Sequence, residues 1–190
     1  MNSSKIDDYN DIYHHLKKQS FSINDYEWIN KNNNYEDGAC KCIGLAIKKG
    51  RYADAEFNGY SIELKKGQSI WLDLVRYSEL LTGIKNIKGS KDEKSIKKAK
   101  EELESAKEKL FNGKSLTIFL ITEKDNTGNR MVSRIAGIKT NDIISHVKLD
   151  EDMAKKILEL QNKLPRQLNA QASMTVNDVI KKAIFEIKFL

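Results

Sequence analysis

The stretch Asp54-Ala-Glu-Phe-Asn-Gly-Tyr-Ser-Ile-Glu-Leu-Lys65 decides the fold. Asn58-Gly59 is the strongest two-residue hairpin signal, because a type I′ turn needs positive φ at both central residues. With these two at the turn, Phe57 pairs with Tyr60, Glu56 with Ser61, Ala55 with Ile62 and Asp54 with Glu63. Strands are expected near 52–57 and 60–66. Tyr60, Ile62 and Leu64 then share one face, and Ser61, Glu63 and Lys65 the other. Asp54 and Glu63 face each other across the pair, where like charges repel. A slip of one residue would separate them. Two carboxylates and one ammonium on one face suggest a site for a divalent cation.

Helices are expected on both sides of the hairpin. Residues 5–19 place Ile6, Tyr9, Ile12, Tyr13 and Leu16 at helical spacing. His14 and His15 lie within it and point in different directions, so a solvated face is expected rather than a metal pair. A short helix is expected at 24–30, and a loop at Asn32–Asn34. Residues 35–49 read as a helix ended by Gly50, with Ala39, Cys42, Ile43, Ala46 and Ile47 inward. Cys40 and Cys42 are expected to be structural thiols, because no second Cys or His cluster completes a metal set.

After the hairpin, 68–82 reads as a helix with Ile70, Leu74, Val75, Tyr77 or Ser78, and Leu81 inward, closed by Gly83. Lys85 to Lys94 is a polar, basic loop. Residues 95–111 form a charged helix whose narrow stripe is Ile96, Ala99, Leu103, Ala106 and Leu110. That stripe suits packing on the chain's own sheet or a dimer contact. Leu116 to Thr122 is nearly continuous in apolar residues, as in a strand buried on both faces. A partner strand follows at Met131–Ile138, across a turn with Asp125, Asn126 and Gly128. Thr140 opens a short helix, and helices are expected at 150–163 and 175–186. Thr175 and Asp178 supply near-capping-box chemistry to the last one. The element order predicts an α/β fold, with a small mixed central sheet flanked by helices, and one domain over residues 1–190.

The chain has 190 residues, 39% hydrophobic and 32% charged, enough for a folded core. Its net charge is +6. That balance permits a polyanionic partner, although an AT-rich genome also yields abundant lysine and isoleucine. No apolar run approaches a membrane span, and the first residues lack the apolar core of a signal peptide. A cytoplasmic location is expected, with no membrane partner. Two cysteines provide no disulfide framework.

Phosphodiester hydrolysis needs an activated water, stabilised phosphate charge and help for the leaving oxygen. Mg²⁺ contributes to all three and prefers carboxylate oxygens. Asp54 and Glu63 offer such oxygens, and Lys65 is a point charge beside them. Asp54, then eight residues, then Glu63-Leu-Lys65, resembles the PD-(D/E)xK nucleases, most of all small type II restriction endonucleases. The order of a helix, an acidic hairpin, a helix and further strands is similar too, over about residues 35–138. Ala53 stands where many members carry proline.

The resemblance implies a restriction-endonuclease-like core and a Mg²⁺-dependent endonuclease on double-stranded DNA, leaving 5′-phosphate ends. Asp54 and Glu63 are then the metal ligands, Lys65 assists the water, and Glu36 is a further candidate ligand. Gln68 occupies a region where some members place another polar site residue. Glu56 is either an added ligand or an outward polar residue. A homodimer is expected if the target is palindromic. Lys85 to Lys94, Asn126 to Arg130 and Arg134 are candidate DNA contacts. Two other readings stay open: a structure-specific repair, resolvase or phage nuclease, and a non-catalytic DNA-binding or interaction module.

Overall fold

A computed structural model describes residues 9–19, 26–30, 34–86, 92–164 and 170–189. In chain order these form α1 (Asn10–Lys18), α2 (Tyr26–Asn30), α3 (Tyr35–Ile43), β1 (Ala46–Ile47), β2 (Ala55–Phe57) and β3 (Tyr60–Gly67). Next come β4 (Ser69–Asp73), α4 (Leu74–Thr82), α5 (Glu93–Phe111), β5 (Ser115–Lys124) and β6 (Arg130–Lys139). The chain closes with α6 (Thr140–His146), α7 (Glu151–Lys163), β7 (Gln171–Thr175), α8 (Val176–Lys182) and β8 (Phe185–Lys188). The main sheet has the order β1-β2-β3-β5-β6-β8, and β4 pairs with β7 in a separate ribbon. Within the main sheet only β3 and β5 run parallel. A parallel pair needs a long crossover. The segment from β4 through α5 supplies it.

The sheet is covered on both faces. Ile62, Leu64, Ile118 and Leu120 pack with residues of α1, α2 and α3. Phe119, Ile121, Ala136 and Ile138 alternate with them and pack against residues of α4 to α8. Every residue from Leu116 to Thr122 is buried, as the continuous apolar run requires. Ala99, Leu103 and Leu110 of α5 are buried in the chain itself, so this stripe serves intramolecular packing. The mixed α/β arrangement with a central sheet between helices matches the sequence reading.

The hairpin turn forms at Asn58-Gly59, with φ of 46° and 83°. The register is Ala55↔Ile62, Glu56↔Ser61 and Phe57↔Tyr60, as the turn dictates. The Asp125 turn also forms. Its Oδ1 accepts from the amides of Thr127 (2.8 Å) and Asn129 (2.9 Å). The capping box of Thr175 and Asp178 is complete at the start of α8.

Four expectations are corrected. The helix from residue 35 ends at Gly44, not Gly50, and Ala46 and Ile47 are exposed strand residues. Gly44 takes φ of 67° there. This left-handed glycine caps the helix, and the His15 ring beside it is not merely solvated. Its Nε2 lies 2.9 Å from the carbonyls of both Ile43 and Gly44, and the ring lies against Phe57. Residues 68–82 are a strand and then a helix. Ile70 and Leu72 are buried while Trp71 and Asp73 are exposed, a period-two pattern that pairs with β7. Asp73 starts the helix, accepting from the amides of Val75 and Arg76. The last helix ends at Lys182, and β8 follows as an edge strand on β6. The first helix is seen from Asn10. Residues 5–8 of that expectation, 24–25 of the second helix, 32–33 of the asparagine loop and 87–91 of the basic loop lie outside the described residues.

Candidate functional site

β3 is an interior strand, so both of its faces are covered. Ile62 and Leu64 enter one core cluster. Ser61, Glu63 and Lys65 point to the opposite face, beneath α4 and α5. Glu63 is therefore buried, with 5% of its surface exposed. A charge in that position must be paired. Lys65 Nζ donates to Glu63 Oε1 at 2.6 Å. Arg76, in the first turn of α4, donates from Nη1 to Oε1 at 2.7 Å and from Nη2 to Oε2. The result is a bidentate fork with a third donor beside it.

Asp54 adjoins this group but leaves the strand ladder. Its amide donates to the Ile62 carbonyl at 2.9 Å, and its carbonyl accepts from the Lys48 amide at 2.8 Å. Its Oδ2 accepts from the Leu64 amide at 2.8 Å. In an unbroken ladder of this register, that amide would serve the Ala53 carbonyl. The side chain takes the backbone's place, so Asp54 is anchored beside Glu63 although the formal pairing stops at Ala55↔Ile62. The expected meeting of the two carboxylates is present.

The electrostatics of the pair are unequal. Burial, then the Glu63 charge, pushes the Asp54 carboxyl up from 3.8 to about 7, against the opposing pull of the Leu64 amide and Arg76. Burial alone would raise Glu63 as well. The adjacent Arg76 and Lys65 charges outweigh it and hold Glu63 well below the usual carboxylate range. One carboxylate is thus fully neutralised by resident cations, while its neighbour is left short of positive charge. Pairs of acids pushed apart in this way cluster at functional sites.

Asp54 opens onto a cleft of about 270 Å³, also lined by Asn34, Glu36, Asp37, Lys48, Lys49 and Gly50. Lys48, Lys49 and Gly50 also line a neighbouring cleft of about 350 Å³, with Arg51, Lys98 and Lys109 on its walls. The lining is rich in cations. Several of these are already committed. Glu56 binds Lys48 at 3.0 Å and Lys109 at 3.1 Å. It ties the hairpin to α5 through these ion pairs. Arg51 donates to the fully buried Glu79 from Nε at 2.8 Å and from Nη2 at 3.1 Å.

Glu36 is on the rim of the first cleft, where its charge acts on the neighbouring Tyr35 phenol. Tyr35 donates to the Leu64 carbonyl at 3.1 Å. Gln68 is exposed at the bend between β3 and β4. Cys40 is a buried free thiol, pushed up to about 12 by burial and by Asp54, and is therefore unreactive. Cys42 is also a free thiol.

Among the described residues, no group of three or more His, Cys, Asp or Glu side chains converges as a metal cage. Asp54 and Glu63 form a pair of hard oxygen donors. That is the number Mg²⁺ commonly takes from a protein while keeping its waters. The deficit of positive charge at Asp54 fits a cation on the cleft side. Sequence reasoning missed Arg76. Its only local signal is its place three residues after the Asp73 cap.

Comparison with protein-family models, with curated proteins and with solved structures finds no match for this chain. Among the described residues, no helix is long and apolar enough to cross a membrane.

Proposed function

We propose that this chain is a Mg²⁺-dependent endonuclease acting on double-stranded DNA, of the restriction-endonuclease-like PD-(D/E)xK type. The observation that carries the reading is the approach of Asp54 to Glu63, with Lys65 on the same strand face as Glu63, at the wall of a cleft lined by both lysines and carboxylates. The element order supports it: α3, then the acidic hairpin, then α4 and the later strands.

Asp54 and Glu63 would hold the ion, which would supply a hydroxide-like water and stabilise charge on the phosphate. The chain's own residues do the rest. The Leu64 amide fixes the Asp54 carboxylate toward the cleft. Lys65 keeps its ammonium beside Glu63, where it orients the attacking water and offsets phosphate charge. Lys49 and Lys98 stand among Glu36, Asp37, Glu101 and Glu102 on the walls of the two clefts and would engage the phosphate backbone as individual point charges. A homodimer on a palindromic site, cutting to 5′-phosphate ends, is the form expected of a type II restriction enzyme.

Digestion of plasmid DNA with and without Mg²⁺ tests the proposal. A fixed fragment ladder that needs Mg²⁺ supports sequence-specific restriction. Preferential cutting of branched or nicked duplexes moves the chain to a structure-specific nuclease of the same kind. No cleavage of any duplex, by a folded protein that binds no Mg²⁺, overturns the catalytic reading and leaves a binding module.

A further inference from the structure

We infer that Arg76 is a resident cation that occupies Glu63 until a phosphate draws it away, so that metal binding is contingent on substrate. The inference rests on the nuclease reading.

Glu63 is heavily engaged in this structure. Its Oε1 accepts from Lys65 at 2.6 Å and from Arg76 Nη1 at 2.7 Å, and its Oε2 accepts from Arg76 Nη2. A carboxylate offers about four lone-pair sites, so three are taken. A metal ion arriving at this carboxylate competes with a bidentate guanidinium.

Arg76 is not fully satisfied in return. Its Nε is buried and has no hydrogen-bond partner. An idle buried donor is destabilising. The guanidinium fork matches phosphate as well as carboxylate, and a phosphodiester can engage Nε together with one Nη. Arg76 also sits in the first turn of α4. A cation at a helix N-terminus is at the unfavourable end of the helix dipole. Both features weaken the resting position relative to one on an incoming phosphate. The side chain is 15% exposed.

Charge counting gives the coupling. Asp54 and Glu63 cancel Lys65 and Arg76. A divalent ion added to that set leaves a net charge of +2 around a carboxylate that is 5% exposed. Each phosphodiester group entering with the ion removes one charge. Metal and DNA therefore assist each other, and the assistance must be reciprocal.

The test is titration of the full-length chain with Mn²⁺, followed by Mn²⁺ electron paramagnetic resonance, alone and with a cleavage-resistant phosphorothioate duplex. The wild type should bind Mn²⁺ weakly alone, and roughly tenfold more tightly with the duplex. Arg76→Gln should bind Mn²⁺ alone roughly tenfold more tightly than wild type, with most of the duplex effect gone. Arg76→Lys keeps the charge without the fork and should fall between them. It also serves if the Gln variant does not fold.

Equal Mn²⁺ affinity in wild type and both variants, with Asp54→Ala abolishing it, overturns the placeholder role and spares the nuclease reading. Absence of Mn²⁺ binding by wild type, with or without duplex, overturns both.

Discussion

Asp54→Asn should make the protein more stable at neutral pH while removing its activity. The Asp54 carboxyl is pushed up from 3.8 to about 7 by burial and by Glu63. An acid with a higher pKa folded than unfolded binds more protons when folded. Stability therefore falls as pH rises from about 4 to about 7. Each pH unit between the two values is worth ~1.4 kcal/mol, so the ionised group costs about 4 kcal/mol at most. The cleft admits water to one side of Asp54, which reduces the figure to about 2 kcal/mol.

Asn keeps an oxygen for the Leu64 amide and offers an NH₂ to Glu63, without the charge. For a chain of this size, about 2 kcal/mol corresponds to a rise in Tm of roughly 4–8 °C. Urea melts of wild type and Asp54→Asn at pH 8 and pH 5 measure it. The variant should be more stable at pH 8, and the gap should shrink to roughly a third at pH 5, where folded wild-type Asp54 is protonated while the unfolded chain is still ionised. Saturating Mg²⁺ should raise the wild type at pH 8 but not the variant. A variant less stable than wild type at pH 8, or an equal gap at both pH values, would refute the electrostatic argument.

Two further predictions concern the frame around the site. Glu79 is fully buried and accepts from Arg51, the Tyr52 hydroxyl (2.8 Å) and the Asn86 amide (3.0 Å). Glu79→Ala leaves those donors unpaired and should cost about 3–5 kcal/mol in urea unfolding, and a loss under ~1 kcal/mol would show the network to be dispensable. A Cβ on Gly137 would stand 2.3 Å from Phe185 Cζ, so Gly137→Ala should cost about 1–3 kcal/mol. Adding Phe185→Ala should give less than the summed loss, and strict additivity of the two would contradict the clash.

The sequence was most readable where local chemistry alone decides the backbone. Asn58-Gly59 set the turn and the register as far as Ala55↔Ile62, where the expected Asp54↔Glu63 pairing gives way to the bond of the Asp54 side chain to the Leu64 amide. The apolar run of β5 and the stripe of α5 were legible for the same reason: burial on two faces or one leaves its period in the residues. The misread segments depend on distant partners. Residues 35–50 offer two glycines that can cap a helix, and the left-handed cap forms at Gly44, where His15 from another helix meets the last carbonyls.

Residues 69–73 carry both periods. Ile70 and Leu74 suit a helix, while the alternation of Ile70, Trp71, Leu72 and Asp73 suits a strand, and β7 decides between them. β8 is a short edge strand whose partner β6 lies far back in the chain. Arg76 reaches Glu63 from a helix that packs over the strand, a contact with no signature in spacing. The closeness of the Asp54 and Glu63 carboxylates was thus legible, and the cation that clamps one of them was not.

The cleavage of plasmid DNA by wild type, Asp54→Asn and Lys65→Ala, each measured in Mg²⁺ alongside DNA binding, tests the central claim most directly. Wild type should cut only with Mg²⁺, and neither variant should cut although both still bind duplex. Undiminished cutting by both folded variants, or a wild type that leaves every duplex intact in Mg²⁺, would contradict it.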